Sequence, residues 1–424
     1  MGMSLMTTLT DPPKGSFRLS MLLYDTRYRS TTIQVIALIG FMLGAAWLIN
    51  NVVVNLALAG KTFNFGFLKD ASGYDINQRL IEYSSQSSHL RAAIVGLMNT
   101  LLVAVMGCTL ATILGVTIGV LRLSKNWVIS RLAAVYVEMF RNVPVLLWIV
   151  LIWAATSHQF PAPRDFRGDN ATASMVLNDS VAVTNRGIYF PEPLFSKGLG
   201  DIPVFWNSFE ISLDLIAILA VLFAGLMISK LITKRAGQIQ AATGTRPTVW
   251  YLRLGVVVIP TLFVLWVLGF YLGYPKLEKF NFEGGTFMSG SLLALWLALS
   301  LYTAAFIAEI VRAGIMAISK GQTEAASALG IRPGRTMSLV ILPQAMRVIF
   351  PPLISQYLNL TKNSSLAVAV GYMDVTGTLG GITLNQTGRE LETILLLMLC
   401  YLVISLTVST VMNAYNERTK LKER

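Results

Sequence analysis

The sequence predicts an all-α integral membrane protein with eight transmembrane helices, and three observations carry that prediction. Of its 424 residues, 54% are apolar and only 13% charged, where an ordinary soluble domain carries roughly 25% charge. The apolar residues gather into eight runs, each long enough for a helix to cross a ~30 Å hydrocarbon core. Lys and Arg number 34 against 22 Asp and Glu, a formal charge of +12. The excess falls in alternate connecting segments, as the positive-inside rule requires.

In chain order the runs are Ile33–Leu58, Ala92–Leu121, Leu132–Ala155, Phe209–Ile232, Trp250–Leu272, Ser289–Ile318, Leu339–Leu360 and Thr393–Asn413. Lipid offers no hydrogen bonds, so each span must satisfy its own backbone as a helix. The first run follows a polar, basic stretch and has no small-residue cleavage site close behind it, so it reads as a span rather than a cleavable signal peptide. A cytoplasmic N-terminus puts five basic clusters inside: Arg18/Arg27/Arg29, Arg122/Lys125/Arg131, Lys230/Lys234/Arg235, Arg332/Arg335 and Arg418/Lys420/Lys422/Arg424. With eight spans both termini are then cytoplasmic.

Several chemistries are excluded early. Cys108 and Cys400 are far apart in apolar runs, and His89 and His158 have no ligand-spaced neighbours, so redox and zinc enzymes are set aside. No GxxxxGK[ST] phosphate loop occurs, so the chain supplies no nucleotide site. The methionines and aromatics, Trp206 among them, sit at helical spacing in or near spans and read as packing and interface-belt residues.

Two outer segments break the regular pattern. Residues 157–207 are polar, turn-rich and too long for a simple connector. Between the last two spans, Leu366–Tyr372 is apolar but far too short to cross. It either dips inward under protein cover or lies on the outer interface.

The inner segment between spans six and seven is the most informative. Ser319 with Gln322 three residues on resembles a capping box. An alanine-rich stretch of high helix propensity follows, closed by Gly330 at a C′ position. Pro333 suits the first turn of a second short helix. Ala325, Ala328 and Leu329 form a small apolar stripe at i, i+3 and i+4. Small side chains let a partner approach closely, while Glu324 and Arg332 fix register at the rim. The competing account is an amphipathic connector lying on headgroups.

This segment resembles the cytoplasmic signature of permease subunits of bacterial binding-protein-dependent ABC importers, in the polar amino-acid branch. That signature is Glu-Ala-Ala, three residues, Gly, nine residues, Ile, one residue, Leu-Pro. Here Glu324-Ala325-Ala326 is followed by Gly330, then Val340 in the Ile place, then Leu342-Pro343. Flanking text is similar to the same branch: Tyr302–Gly314, Leu358–Leu366, Asn99-Thr100-Leu101 and Tyr136–Pro144. The layout resembles the larger permease of general L-amino-acid importers.

The resemblance implies a type I importer core of five helices, mapped to spans two, three, six, seven and eight, plus three extra helices. The corresponding segments are 1–91 (N-terminal segment, extra span and outer loop), 92–157 (first two core spans), 158–288 (an insertion with a polar periplasmic loop and two extra spans) and 289–424 (the remaining core, with a coupling loop at 319–338). It further implies a transport subunit, not an enzyme, in a bacterial inner membrane. Its partners would be a second permease (a heterodimer), an ABC ATPase dimer and a periplasmic solute-binding protein, with no nucleic acid. No cofactor is expected on this chain; ATP and Mg belong to the partner ATPase. Coupling then falls to Glu324, Ala325, Ala326, Leu329, Gly330, Arg332, Leu342 and Pro343.

Candidates for the substrate path are Asn99, Thr100, Glu138 and the run Lys362-Asn363-Ser364-Ser365, whose donors and following helix N-terminus would suit a carboxylate. Each has a structural alternative: packing or capping for Asn99 and Thr100, pairing with Arg141 for Glu138, and a capped outer turn for 362–365. Glu309 and Arg312 share a helix face and read as a structural pair. Asp214 suits a helix N-terminus, and Gly107, Gly115 and Gly119 suit close helix contact. The rival function, an ion-coupled secondary transporter, calls for mid-depth acidic or histidine residues and has no use for a docking loop.

Overall fold

The computed structural model describes residues 21–24, 26–168, 171–204 and 209–419; of the residues named above, Arg18, Trp206, Lys420, Lys422 and Arg424 lie outside them. Among the described residues eight helices are long and apolar enough to cross a membrane. The chain divides into two units, Met1–Phe65 and Gly66–Arg424. The first holds α1 (Thr26–Leu58). Its large apolar side chains, such as Ile36, Phe41 and Trp47, are exposed, as for a lipid-facing helix.

In the second unit α2 (His89–Leu121) runs beside a later helix, α7 (Gly290–Met316). Glycines permit their close approach. A Cβ at Gly115 would lie 2.6 Å from Ile307 and 3.0 Å from the Ala304 carbonyl; at Gly119 it would lie 2.7 Å from the Ala308 carbonyl. Gly107 faces Leu360 instead. The glycines expected to serve helix contact do so. Helix α7 is the most buried span, with Leu295, Ala298, Leu299, Ala304, Ile307 and Ala308 fully enclosed.

The third expected span is broken. Helix α3 (Trp127–Asn142) ends at Val143-Pro144, and α4 (Val145–Gln159) starts afresh. Pro144 has no N–H and holds Val143 extended, at φ −112° and ψ 133°. The span found here is Val145–Phe166, so Leu132–Ala155 joined the end of one helix to the start of the next.

The segment expected as an insertion, 158–288, is not purely helical. It contains β1 (Ala182–Thr184), β2 (Gly187–Phe190), β3 (Glu192–Phe195), β4 (Asp201–Val204) and β5 (Phe209–Ser212) before its two helices. After them come β6 (Phe270–Gly273), β7 (Lys276–Glu278), β8 (Asn281–Glu283) and β9 (Thr286–Ser289). All pairings are antiparallel: β1–β2–β9, β3–β6, β4–β5 and β7–β8. The β2–β9 pair brings the two ends of the insertion together, with Ile188 opposite Met288. Strands β5 and β6 occupy the ends of the apolar runs assigned to spans four and five.

Between them α5 (Leu213–Thr243) and α6 (Trp250–Val267) form a helical hairpin. Gly225 lets α6 approach, since a Cβ there would lie 2.9 Å from the Val256 carbonyl. Asp214 sits in the first turn of α5, as expected, and accepts the Leu199 N–H at 2.8 Å.

After α7 come α8 (Lys320–Ala328), the single turn α9 (Pro333–Thr336) and a π-helical turn at Met337–Ile341. Helix α10 (Leu342–Asn363) then runs directly into a 3₁₀ turn, Ser364–Val370. Ala367, Val370 and Tyr372 are buried in the central cluster, so the short apolar piece is covered by protein rather than spread on the interface. A π-helical stretch (Thr376–Thr383) and the last span, α11 (Glu390–Thr419), complete the chain.

Candidate functional site

The segment joining α7 to α10 is a self-supporting elbow. Helix α8 ends in a Schellman motif: Gly330 N–H donates to the Ser327 carbonyl at 2.9 Å and Ile331 N–H to the Ala326 carbonyl at 3.1 Å. Gly330 takes φ +71°, a conformation that costs any residue with a Cβ. Pro333 opens α9, as expected. The capping box does not form: Ser319 makes no side-chain cap bond, Gln322 N–H donates to the Ser319 carbonyl at 3.1 Å, and Gln322 Oε1 accepts from Gln344 Nε2 at 3.3 Å. That bond ties α8 to the start of α10, where Leu342 and Pro343 lie.

One face of α8 turns inward and one outward. Ala326 is 4% exposed and packs within the elbow. Glu324, Ala325, Ala328 and Arg332 are exposed, and Leu329 is 78% exposed. An apolar side chain held out of its own fold by a rigid cap has only another surface, lipid or protein, in which to bury.

At the end of the bundle where α8 emerges, Glu309 of α7 contacts both Arg312, one turn on, and Arg122 at the C-terminal end of α2. The expected Glu309–Arg312 pair is present, extended by a cation the sequence did not connect to it. Glu138 does not pair with Arg141. Glu138 accepts from Asn142 Nδ2 at 3.3 Å, and the Arg141 guanidinium lies 5.4 Å from the Phe306 ring centroid.

The path candidates fall into two groups. Asn99 and Thr100 are fully buried. Asn99 Nδ2 donates to the carbonyls of Gln78 (2.7 Å) and Met373 (2.9 Å), and Thr100 Oγ1 accepts from Val375 N–H at 3.1 Å. Both pin the 372–375 crossing against α2, while Asn99 Oδ1 is buried without a partner among the described residues. In the run 362–365, Lys362 is exposed and Ser365 Oγ donates to the Lys362 carbonyl at 2.8 Å. Asn363 and Ser364 stay in the right-handed helical region, so no helix N-terminus opens there. Ser364 belongs to a different cluster around Asp374, which is wholly buried. The Asp374 carboxylate accepts from Gly377 N–H at 2.9 Å and Tyr401 Oη at 3.1 Å, with Ser364 Oγ 3.5 Å away. Sequence reasoning passed over Asp374, although a lone acid in an apolar segment is itself a signal. It also passed over Arg347 of α10, whose Nε and Nη2 are buried without partners among the described residues.

Residues 111–421 match the family model described as binding-protein-dependent transport system inner membrane component. The chain belongs to this family. It is therefore a multi-pass inner-membrane permease component. It is similar at 59% identity to the glutamate/glutamine/aspartate/asparagine transport system permease protein BztB of Rhodobacter capsulatus, over 99% of this chain and all of that one. It is 43% identical to the general L-amino acid transport system permease protein AapQ of Rhizobium johnstonii, over 96% of each chain. A putative amino-acid ABC transporter permease of Escherichia coli, YhdX, is 40% identical over 93% of this permease and 95% of its own length.

Proposed function

We propose that this permease is the larger membrane subunit of an ATP-driven importer that moves polar L-amino acids, with broad specificity, into the cytoplasm. A second, smaller permease completes the conduit as a heterodimer. An ABC ATPase dimer, holding ATP and Mg, drives it, and a periplasmic solute-binding protein delivers the substrate. Both termini lie in the cytoplasm. The amino acids for which its relatives are named support the substrate class.

The observation that carries the coupling role is the exposed, rigidly capped α8 with Leu329 projecting from it. Seated in a groove of the ATPase, α8 moves with α7 and α10 as one body, so closure of the ATPase tilts two spans. The Gly330 cap and the Gln322–Gln344 bond keep the stroke from dissipating in a loose loop. Glu324 and Arg332 at the rim set the register of docking. Arg122, Glu309 and Arg312 lock α2 to α7 near the elbow, so the motion reaches a third helix.

The test is reconstitution of all subunits in proteoliposomes. Uptake should require ATP inside the vesicle and survive collapse of ion gradients. Ala325→Arg should abolish uptake while leaving the amount of folded, membrane-inserted permease unchanged. Uptake driven by an ion gradient without ATP, or undiminished uptake by Ala325→Arg, would overturn the reading.

A further inference from the structure

The insertion does more than decorate the core, because it roofs a cavity of about 670 Å³, a size suited to a small organic ligand. Its walls come from both parts of the chain. Trp153 and Ser157 of α4, Ser291 at the start of α7 and Gly371 after the 3₁₀ turn form the core side; Asn185, Arg186 and Asn281 form the roof. Among the described residues no acidic one lines it, and Arg186 is the one charged group.

The Arg186 backbone is firmly placed, and its side chain is exposed. Arg186 lies in the two-residue turn between β1 and β2, its carbonyl accepts Gly290 N–H at 2.9 Å, and its own N–H donates to Thr184 Oγ1 at 3.2 Å. The guanidinium is nonetheless short of partners. Among the described residues it makes no ion pair, only a long 3.4 Å contact from Nη1 to the Phe280 carbonyl. Beside it, Asn185 Oδ1 is buried with no hydrogen-bond partner among the described residues. A second recess of about 350 Å³ shares Asn185 and Arg186 and adds Arg164 and Arg167. Of these, Arg164 has Asp165 at 3.6 Å and Arg167 reaches the Glu278 carbonyl. This neighbouring recess is thus cationic, and a cleft lined by one sign of charge concentrates the opposite one.

We infer that this cavity is an outer reception site for an anionic amino acid, its side-chain carboxylate held by Arg186. A guanidinium receives a carboxylate bidentately, and Ser157, Asn281 and Ser291 in the lining offer polar acceptors for the ammonium group. The site holds substrate after release from the binding protein, poised above the helices. The inference rests on the amino-acid import reading only for the source of the ligand.

Two measurements test it. In purified full complex without binding protein, L-glutamate should produce a saturable change in tryptophan fluorescence. Trp153→Phe should remove that change, as should Arg186→Gln, and sodium chloride at equal concentration should not reproduce it. No saturable change overturns the site, whatever drives transport. In proteoliposomes with saturating binding protein, Arg186→Gln should lower glutamate uptake about tenfold, the scale of one lost charge-assisted contact. Glutamine uptake should stay within about twofold, since its side chain presents no charge to the guanidinium. Arg186→Lys should restore much of the glutamate rate. Equal loss for both amino acids, with more binding protein needed for half-maximal ATPase stimulation, would make this a docking face instead. A wild-type complex that binds glutamate yet shows no ATP-dependent uptake would defeat the import reading and leave the site standing.

Discussion

Glu309 and Arg122, 187 residues apart in sequence, meet as a carboxylate–guanidinium pair joining α7 to the C-terminal end of α2. Their side chains are only 25% and 14% exposed, and Arg312 occupies the second carboxylate oxygen. Removing the carboxylate leaves two guanidinium groups facing each other, partly desolvated. We expect Glu309→Ala to destabilise the detergent-solubilised permease by roughly 2–3 kcal/mol. Arg122→Met combined with Glu309→Met should cost less than the sum of the singles, read by thermal unfolding. Strict additivity would mean that the pair contributes nothing.

Gly115 tests the α2–α7 contact. A methyl group there meets Ile307 and a backbone carbonyl of α7, and neither can withdraw without separating the helices. Gly115→Ala should lower the unfolding temperature, with a cost of about 1–3 kcal/mol for overpacking. Gly40→Ala in α1, where nothing lies within 4 Å, should be neutral or slightly stabilising through helix propensity.

Leu329 tests the proposed docking role apart from folding. Because it is 78% exposed, Leu329→Ser should leave the unfolding temperature unchanged while reducing ATP-coupled uptake. Gly330→Val strains the φ +71° cap by about 1–2 kcal/mol and should loosen α8, seen as faster hydrogen exchange confined to residues 320–331. Exchange spreading into α7 would show that the elbow is not an independent unit.

Asp374 gives a pH signature. It lies between the last two spans, and burial pushes its carboxyl up to about 6 from an ordinary 3.8. The folded state therefore binds a proton more tightly than the unfolded one, so stability falls as pH rises from about 4 to 6 and is level above. Asp374→Asn keeps an acceptor for Gly377 N–H and a donor toward Tyr401. It should flatten that slope in unfolding temperatures measured from pH 4 to 8. An unchanged slope would assign the effect to another group.

Much of this was legible in one dimension. Span number followed from apolar run length, and the elbow followed from Gly330 and Pro333, residues whose backbone preferences act locally. Errors arose where distant partners competed with local rules. Ser319 had the right sequence for a capping box, yet Gln322 found Gln344, 22 residues away. Glu138 had Arg141 within reach, but Phe306 of another helix took the guanidinium. Val143-Pro144 lies inside an apolar run, and hydropathy is blind to a missing N–H.

The sequence by itself determined that the chain crosses a membrane and that α8 is short, capped and small-surfaced, because each depends on residues within a turn or a span of one another. Only the tertiary structure decided that Asn99 and Thr100 clamp residues 372–375, that Asp374 is enclosed, and that Arg186 of the insertion stands over α4 and α7. Those outcomes are set by which helices and strands pack together. A side chain's partners and solvent exposure are properties of that packing and leave no periodic trace in the chain.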